Sequence, residues 1–427
     1  MSEEFNYIVF AVPFFVLLIG LEIYAAYKRN MKGYYRLQDS LTSLSIGIGE
    51  QVISVFSKVG VLYLYSYIYE HTAIFHFEFN VLNVIILLFL FDFIFYWAHR
   101  WGHEINFMWA GHVVHHSSED YNLTTALRQP WFFQLVTFNL FLPLAVLGFD
   151  PKILAVVAGI DILYQFWIHT QLIGKLGPLE WILNTPSHHR VHHGSNPQYI
   201  DKNYAGVFII WDRLFGTFEE EKEPVVYGIT TPLNSWNPAW ANVHYIVDLA
   251  RQAKKCNNIT DKLHVWVAPP GWQPEYLGGR QYPKPVSVET FKKFDTPISK
   301  TLGVYTLVQF SFLMALATGY LAIANKLDLW VSLLYAGNIF ITLASIGGLF
   351  EKKKWAFVAE FVRLFSLPWL AYLLPIEDKV WLAVAVGIGA VLSGISVIWL
   401  FSINKKEHDN PEKHAIKHQV EEEQMAA

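Results

Sequence analysis

Long apolar runs separated by short polar turns dominate this chain. A helix needs about 20 apolar residues to cross the hydrocarbon of a bilayer, and residues 7–27 supply the first such run, closed by Lys28, Arg29, Lys32 and Arg36. A weaker run, 41–69, is interrupted by Ser43, Ser45 and Glu50, and a very apolar third, 81–98, runs straight into His99. Residues 132–148 and 153–171 read as a hairpin turned at Gly148-Phe-Asp-Pro151, and four more runs follow at 301–323, 329–350, 355–374 and 379–402. The pattern predicts an all-α polytopic membrane protein of about nine transmembrane helices. Between the two sets, 173–300 is polar and aromatic and leaves the bilayer. Its Ala268-Pro-Pro-Gly-Trp-Gln-Pro274 stretch is no regular helix, and its Trp and Tyr residues through 227–282 suit the headgroup level. The organisation expected is N-terminal membrane helices over 1–80, a core over 81–223, a cytoplasmic or interfacial segment over 224–300, a four-helix membrane region over 301–404 and a charged, disordered tail over 405–427.

Charge orients this plan. Basic residues concentrate in cytoplasmic loops near span ends. Threading the spans puts Lys28, Arg29, Lys32, Arg36, Lys352–Lys354 and the tail lysines (Lys405, Lys406, Lys413, Lys417) on one side. The opposite short loops carry Lys152, Lys326 and Lys379. The first side is therefore the cytoplasm: of the endoplasmic reticulum membrane in a eukaryote, of the inner or plasma membrane in a bacterium. The first run lacks a basic leader and a small-residue cleavage site, so it reads as a retained anchor. A net charge of −4 argues against nucleic acid as a partner, and a single cysteine, Cys256, excludes an intrachain disulfide or a thiolate metal cluster. The partner expected is the lipid bilayer, with no obligate protein partner.

Three histidine clusters carry the chemistry. They are His99 and His103, then His112, His115 and His116, then His189, His192 and His193. On a helix these i,i+3 and i,i+4 spacings bring the imidazoles of a cluster to one face. All three clusters fall on the predicted cytoplasmic side, at span ends. Imidazole is the commonest neutral metal ligand, and eight can complete most of the shells of two ions. His169, at the end of the fifth run, and His188 stand where they would be either further ligands or packing residues. The lone His71, His76, His244 and His264 read as structural.

A nitrogen-rich pair of sites with open positions suits redox-active iron that binds O₂. Zinc could take the same ligands, with Glu104 as a hydrolytic base, but catalytic zinc usually has three protein ligands and an open fourth position. A metal transporter would hold its ions near the bilayer midplane on broken helices, whereas these histidines lie at span ends. Ligating imidazoles usually give their second N–H to a carboxylate or carbonyl. Glu104 and Asp201 read as such partners, and Glu119, Asp120 and Asp212 as structural or solvated groups.

These boxes resemble those of the fatty acid hydroxylase superfamily, the membrane di-iron enzymes that include sterol desaturases and sphingolipid hydroxylases. The stretch from Asn203-Tyr-Ala-Gly206 through Trp211-Asp-Arg-Leu-Phe-Gly-Thr217 is similar to that superfamily's trailing motif. The likeness is sharper to its glyceryl-ether monooxygenases, through residues 103–129, Leu163–Thr170, Asn184–Gly194 and Ile200–Gly206. The resemblance implies two iron ions, O₂, tetrahydrobiopterin as electron donor and an ether-lipid substrate cleaved to a fatty aldehyde. The other outcome within the superfamily is a sterol or sphingolipid hydroxylase or desaturase. Glu104 matches an acidic residue of the family pattern and is the catalytic candidate, orienting a ligand or handling protons.

Overall fold

The computed structural model describes residues 7–409, with side chains placed for 12–403, so most of the expected tail lies outside the described residues. The fold is helical, and the described residues divide into two compact units: 15–234 with 239–293, and 7–14, 235–238 and 294–409.

The larger unit is built on α1 (Tyr7–Lys28) from Phe15 onward, α2 (Leu37–Thr72) and α3 (Val81–Glu104), followed by α4 (Asn106–His116) and the single turn α5 (Leu123–Ala126). The apolar stretch that follows is broken into α6 (Phe133–Thr137), a 3₁₀ turn and α7 (Leu142–Leu147). Then come α8 (Pro151–Trp167), α9 (Pro186–His192), α10 (Ile210–Phe215), α11 (Pro238–Lys255) and α12 (Ile259–Val267). The two halves of α2 differ. Its first half buries Asp39, Thr42, Ser43, Ser45, Glu50 and Ser54 inside the unit, while its second half exposes Val59, Leu62, Tyr63 and Tyr67. The apolar core at the far end joins Tyr65, Leu87, Phe91, Leu144, Phe149, Ile153 and Val157 from α2, α3, α7, the turn after it and α8.

The turn expected at Gly148 is present. Gly148 closes α7 at φ 105°, and Asp150 caps α8, accepting the N–H of Lys152, with Pro151 in the first helical turn. Phe75 and Phe77 run alongside, so a Cβ on Gly148 would stand 1.7 Å from the Phe75 carbonyl oxygen. Only glycine fits both the left-handed backbone and that approach.

In the smaller unit α13 (Lys300–Ile323), α14 (Leu329–Phe350), α15 (Lys354–Tyr372) and α16 (Lys379–Asp409) form a bundle. The last helix continues past Asn404, where the tail was expected to begin. Its interior is tied by a polar network around the buried Glu360–Arg363 pair. Glu360 accepts from Tyr305 Oη at 2.7 Å and Ser345 Oγ at 2.7 Å, while Arg363 donates to Gln309 at 2.6 Å, which in turn donates to Ser396 at 2.9 Å. Every helix of the bundle contributes, which is how charge is accommodated in an apolar bundle.

Among the described residues, five helices are long and apolar enough to cross a membrane: Leu37–Thr72, Val81–Glu104, Lys300–Lys326, Leu329–Phe350 and Lys379–Ile403. The nine expected spans are thus not all of one kind. The first side chains of α1 lie outside the described set, and α15 carries Glu360 and Arg363. The 132–148 run is broken by its 3₁₀ turn. At about 1.5 Å per residue the 17 residues of α8 cover roughly 26 Å, short of the ~30 Å hydrocarbon thickness. A hairpin returns the chain to the side it left however deep it reaches, so the sidedness expected for His169 and α9 is unaffected. Gly148→Ala is expected to cost about 1–3 kcal/mol or more from strain and collision, read as a lower melting temperature in detergent. Gly20→Ala, with nothing within 4 Å of the added Cβ, is expected to leave the melt unchanged or slightly raised.

Candidate metal centre

The interruption of the helix between α3 and α4 sets the site. Ile105 is extended (φ −121°, ψ 120°), so α4 turns back and its histidines face those at the end of α3. Asn106 holds the turn: its N–H and side-chain amide donate to the carbonyls of Ala268 and Val265, and its own Oδ1 accepts from Tyr245 Oη. The seven-residue α9, started by Pro186, brings in the third cluster.

Nine buried histidines form two groups, within each of which the ligand atoms lie within 4.8 Å of one another. One holds His99, His103, His112, His116 and His192, and the other His115, His169, His189 and His193. The groups cut across the sequence clusters. Neighbouring residues on a helix diverge by about 100°, so α4 gives His112 and His116 to one group and His115 to the other. Likewise α9 gives His192 to the first and His189 to the second. His169, left open by the sequence, stands in the second group. His188 stands in neither; its ring packs on Phe218, and burial pushes it down to about 4.

The hydrogen bonds assign the tautomers. Nδ1 of His99, His115, His169 and His192 lies 2.7, 3.1, 2.7 and 2.9 Å from the carbonyl oxygens of Tyr204, Arg128, Gln165 and Lys202. A carbonyl only accepts, so each Nδ1 carries the proton and each Nε2 presents a lone pair. Nε2 of His115 and Nε2 of His169 nevertheless face each other at 3.3 Å, with no proton between them. Nε2 of His103, His192 and His193 is buried without a partner. Protonation does not resolve this, because burial lowers the imidazole pKa values: His115 to about 4, and His112, His116, His169, His189, His192 and His193 well below the usual range. Converging lone pairs in a buried, neutral cage fit a cation in each group.

Two of the orienting carbonyls come from one turn. Asp201 and Asn203 adopt left-handed φ of 60° and 56°, a conformation Asp and Asn tolerate better than most residues. This aims the carbonyls of Lys202 and Tyr204 at His192 and His99. The Asn203 amide donates to the His188 and Glu219 carbonyls. Asp212, lifted to about 6 by burial, accepts the N–H groups of Tyr204 and Ala205 and the Thr217 hydroxyl.

The carboxylates expected around the histidines lie at different depths. Glu104 is partly exposed and bonded to Arg100 at 2.9 Å, on the outer side of the five-histidine group. Asp201, raised to about 6 by burial and then by Glu104, has an oxygen 3.8 Å from His103 Nδ1. Asp120 pairs with Arg36 at 3.0 Å and Lys293 at 2.6 Å, and Glu119 lies beneath Gly228. Two carboxylates outside the expected set are closely engaged. Asp92 accepts the N–H groups of Val207, Phe208 and the Trp211 indole, anchoring the 203–211 segment to α3. Glu22 accepts from Tyr34, Tyr35, Thr170 and the Leu123 N–H, and so pins the residue after His169. Each is an ionisable residue inside an apolar run, the signal that could have found them.

Apolar helices end in two all-histidine cages, and residues 84–217, which hold every one of those histidines, match the fatty acid hydroxylase family. Human alkylglycerol monooxygenase is 41% identical over 85% of this chain and 82% of its own length. The Xenopus tropicalis and Danio rerio alkylglycerol monooxygenases are 40% and 38% identical over 84% and 85% of this chain, covering 80% and 82% of their own lengths. The chain belongs to the alkylglycerol monooxygenase family. No solved structure matches it.

Substitution separates the two undecided histidines. His169→Ala is expected to lower bound metal as His189→Ala does, and His188→Ala to retain it, by metal analysis of purified protein. Asn203→Ala, which loosens the orienting turn, is expected to weaken metal binding roughly 10–100-fold.

Proposed function

We propose that this protein is a membrane di-iron monooxygenase that cleaves the O-alkyl bond of glyceryl ethers, alkylglycerols and lyso ether phospholipids, with tetrahydrobiopterin as reductant. The observation that carries the reading is the pair of facing lone-pair cages in a chain of this family. One ion would be held by His99, His103, His112, His116 and His192, and the other by His115, His169, His189 and His193. An all-nitrogen donor set suits redox-active iron, which when bound supplies O₂ activation and the insertion of one oxygen atom.

The reaction balances as follows. The ether R–CH₂–O–R′, O₂, two electrons and two protons give the hemiacetal R–CH(OH)–O–R′ and water. The hemiacetal C–O bond then breaks, its hydroxyl proton passes to the leaving oxygen, and the products are R–CHO and HO–R′. The protein's own part is to aim the imidazoles through the Lys202, Tyr204, Arg128 and Gln165 carbonyls, and by burial to keep them neutral and exclude water. Glu104, held by Arg100 at the exposed edge, is the group assigned to move protons between site and solvent. The site faces the cytoplasm, where a glycerol headgroup stays at the interface while the first chain carbon reaches the metals.

With iron, O₂ and reduced pterin, the purified protein is expected to release a long-chain aldehyde from 1-O-alkylglycerol, with Glu104→Gln strongly impaired. Turnover of sterols alone, indifferent to pterin, would overturn the reading, as would iron-loaded protein inert toward every ether lipid. In a Cys256→Ser background, Tyr282→Cys, at a position 75% exposed, is expected to be labelled only from the cytoplasmic side. Labelling from the opposite side would refute the orientation.

A further inference from the structure

The five-histidine group is backed by aromatic rings of different kinds. Tyr204 is fully buried, its ring 5.3 Å from that of His103. Phe133, at the start of α6, lies on the other side, its ring centroid 5.1 Å from His112. Two glycines make room for it. A Cβ on Gly102 of α3 or Gly111 of α4 would come within 3.0 Å of the Phe133 ring. Phe133 is half-buried, and its neighbours Phe132, Leu135 and Val136 are apolar and exposed. They open the short apolar stretch Phe133–Leu147.

A glyceryl ether makes three demands on whatever residue meets its chain. The reacting carbon is the first of the alkyl chain, so that residue must sit beside the histidines. It must be apolar, because the next methylenes are. It must also be continuous with an exposed apolar surface, because the rest of the chain extends into hydrocarbon. Phe133 meets all three.

We infer that Phe133 is a specificity-determining residue, the wall against which the first carbons of the alkyl chain lie as the substrate enters from the hydrocarbon side. This rests on the ether-lipid reading above. The ring sets how much bulk those carbons carry, and the two glycines set where the ring stands.

The test uses the full-length, iron-loaded protein in lipid nanodiscs with reduced pterin. It compares kcat/KM for 1-O-hexadecylglycerol with that for an analogue bearing a methyl branch on the second chain carbon. A pocket change of one methyl is worth roughly ten-fold or more in discrimination. Phe133→Ala is expected to raise the branched-to-linear ratio by about that factor, through KM, with metal content unchanged. Phe133→Trp is expected to lower the ratio, and Gly111→Ala, which pushes the ring, to shift it as well. Leu82→Ala, exposed at the far end of α3, leaves it unchanged. Should the Ala variant not fold, Phe133→Leu and Phe133→Trp carry the same comparison. A ratio within about two-fold of wild type in active Phe133 variants overturns the inference. Absence of aldehyde from the wild type with either substrate refutes the underlying reading instead.

Discussion

Nine buried imidazoles turned toward two points, with the lone pairs of His99, His115, His169 and His192 facing inward, are unstable by themselves. Nε2 of His115 and Nε2 of His169 have no proton to share at 3.3 Å, and burial keeps either ring from gaining one. Such a cage persists only if the surrounding backbone holds each ring, or a cation fills it. The rest of the larger unit can be understood as the means of holding the rings. The break at Ile105 folds α4 against α3, the left-handed turn at Asp201 and Asn203 supplies two carbonyls, and the buried Arg128 supplies a third.

The supports are themselves anchored by buried carboxylates. Asp212 fixes the backbone of Tyr204 and Ala205, Asp92 ties the following segment to α3, and Glu22 reaches Thr170 beside His169. Each accepts several donors, so each is costly to bury alone and stable once engaged. Second-layer contacts of this kind orient ligands and tune the metal. They also explain why polar residues interrupt spans that would otherwise read as plain membrane anchors.

The same economy shapes the approach to the site. The stretch after α5 is apolar but broken, its helices too short to cross on their own, and it brings the Phe133 ring to 5.1 Å from that of His112. Burial of the rings on the polar side and an apolar approach on the other suit an amphiphile whose reacting bond lies at the junction of its two halves.

Much of this was legible in the chain itself. Periodicity and length marked the long helices, because twenty apolar residues are a local property, and the Gly148–Pro151 turn announced itself through its residue types. The clustered spacings marked eight of the histidines, since i,i+4 places side chains on one face whatever the tertiary fold. What the spacing did not contain was the partition. Which group each imidazole joins depends on how α3, α4 and α9 pack, so the second and third clusters each serve both groups and His169, alone in sequence, joins His115, His189 and His193. His188 adjoins the third cluster in sequence, yet packs on Phe218 because adjacent residues on a helix point about 100° apart. Local spacing determines which side chains share a face; only the tertiary structure decides what that face looks at.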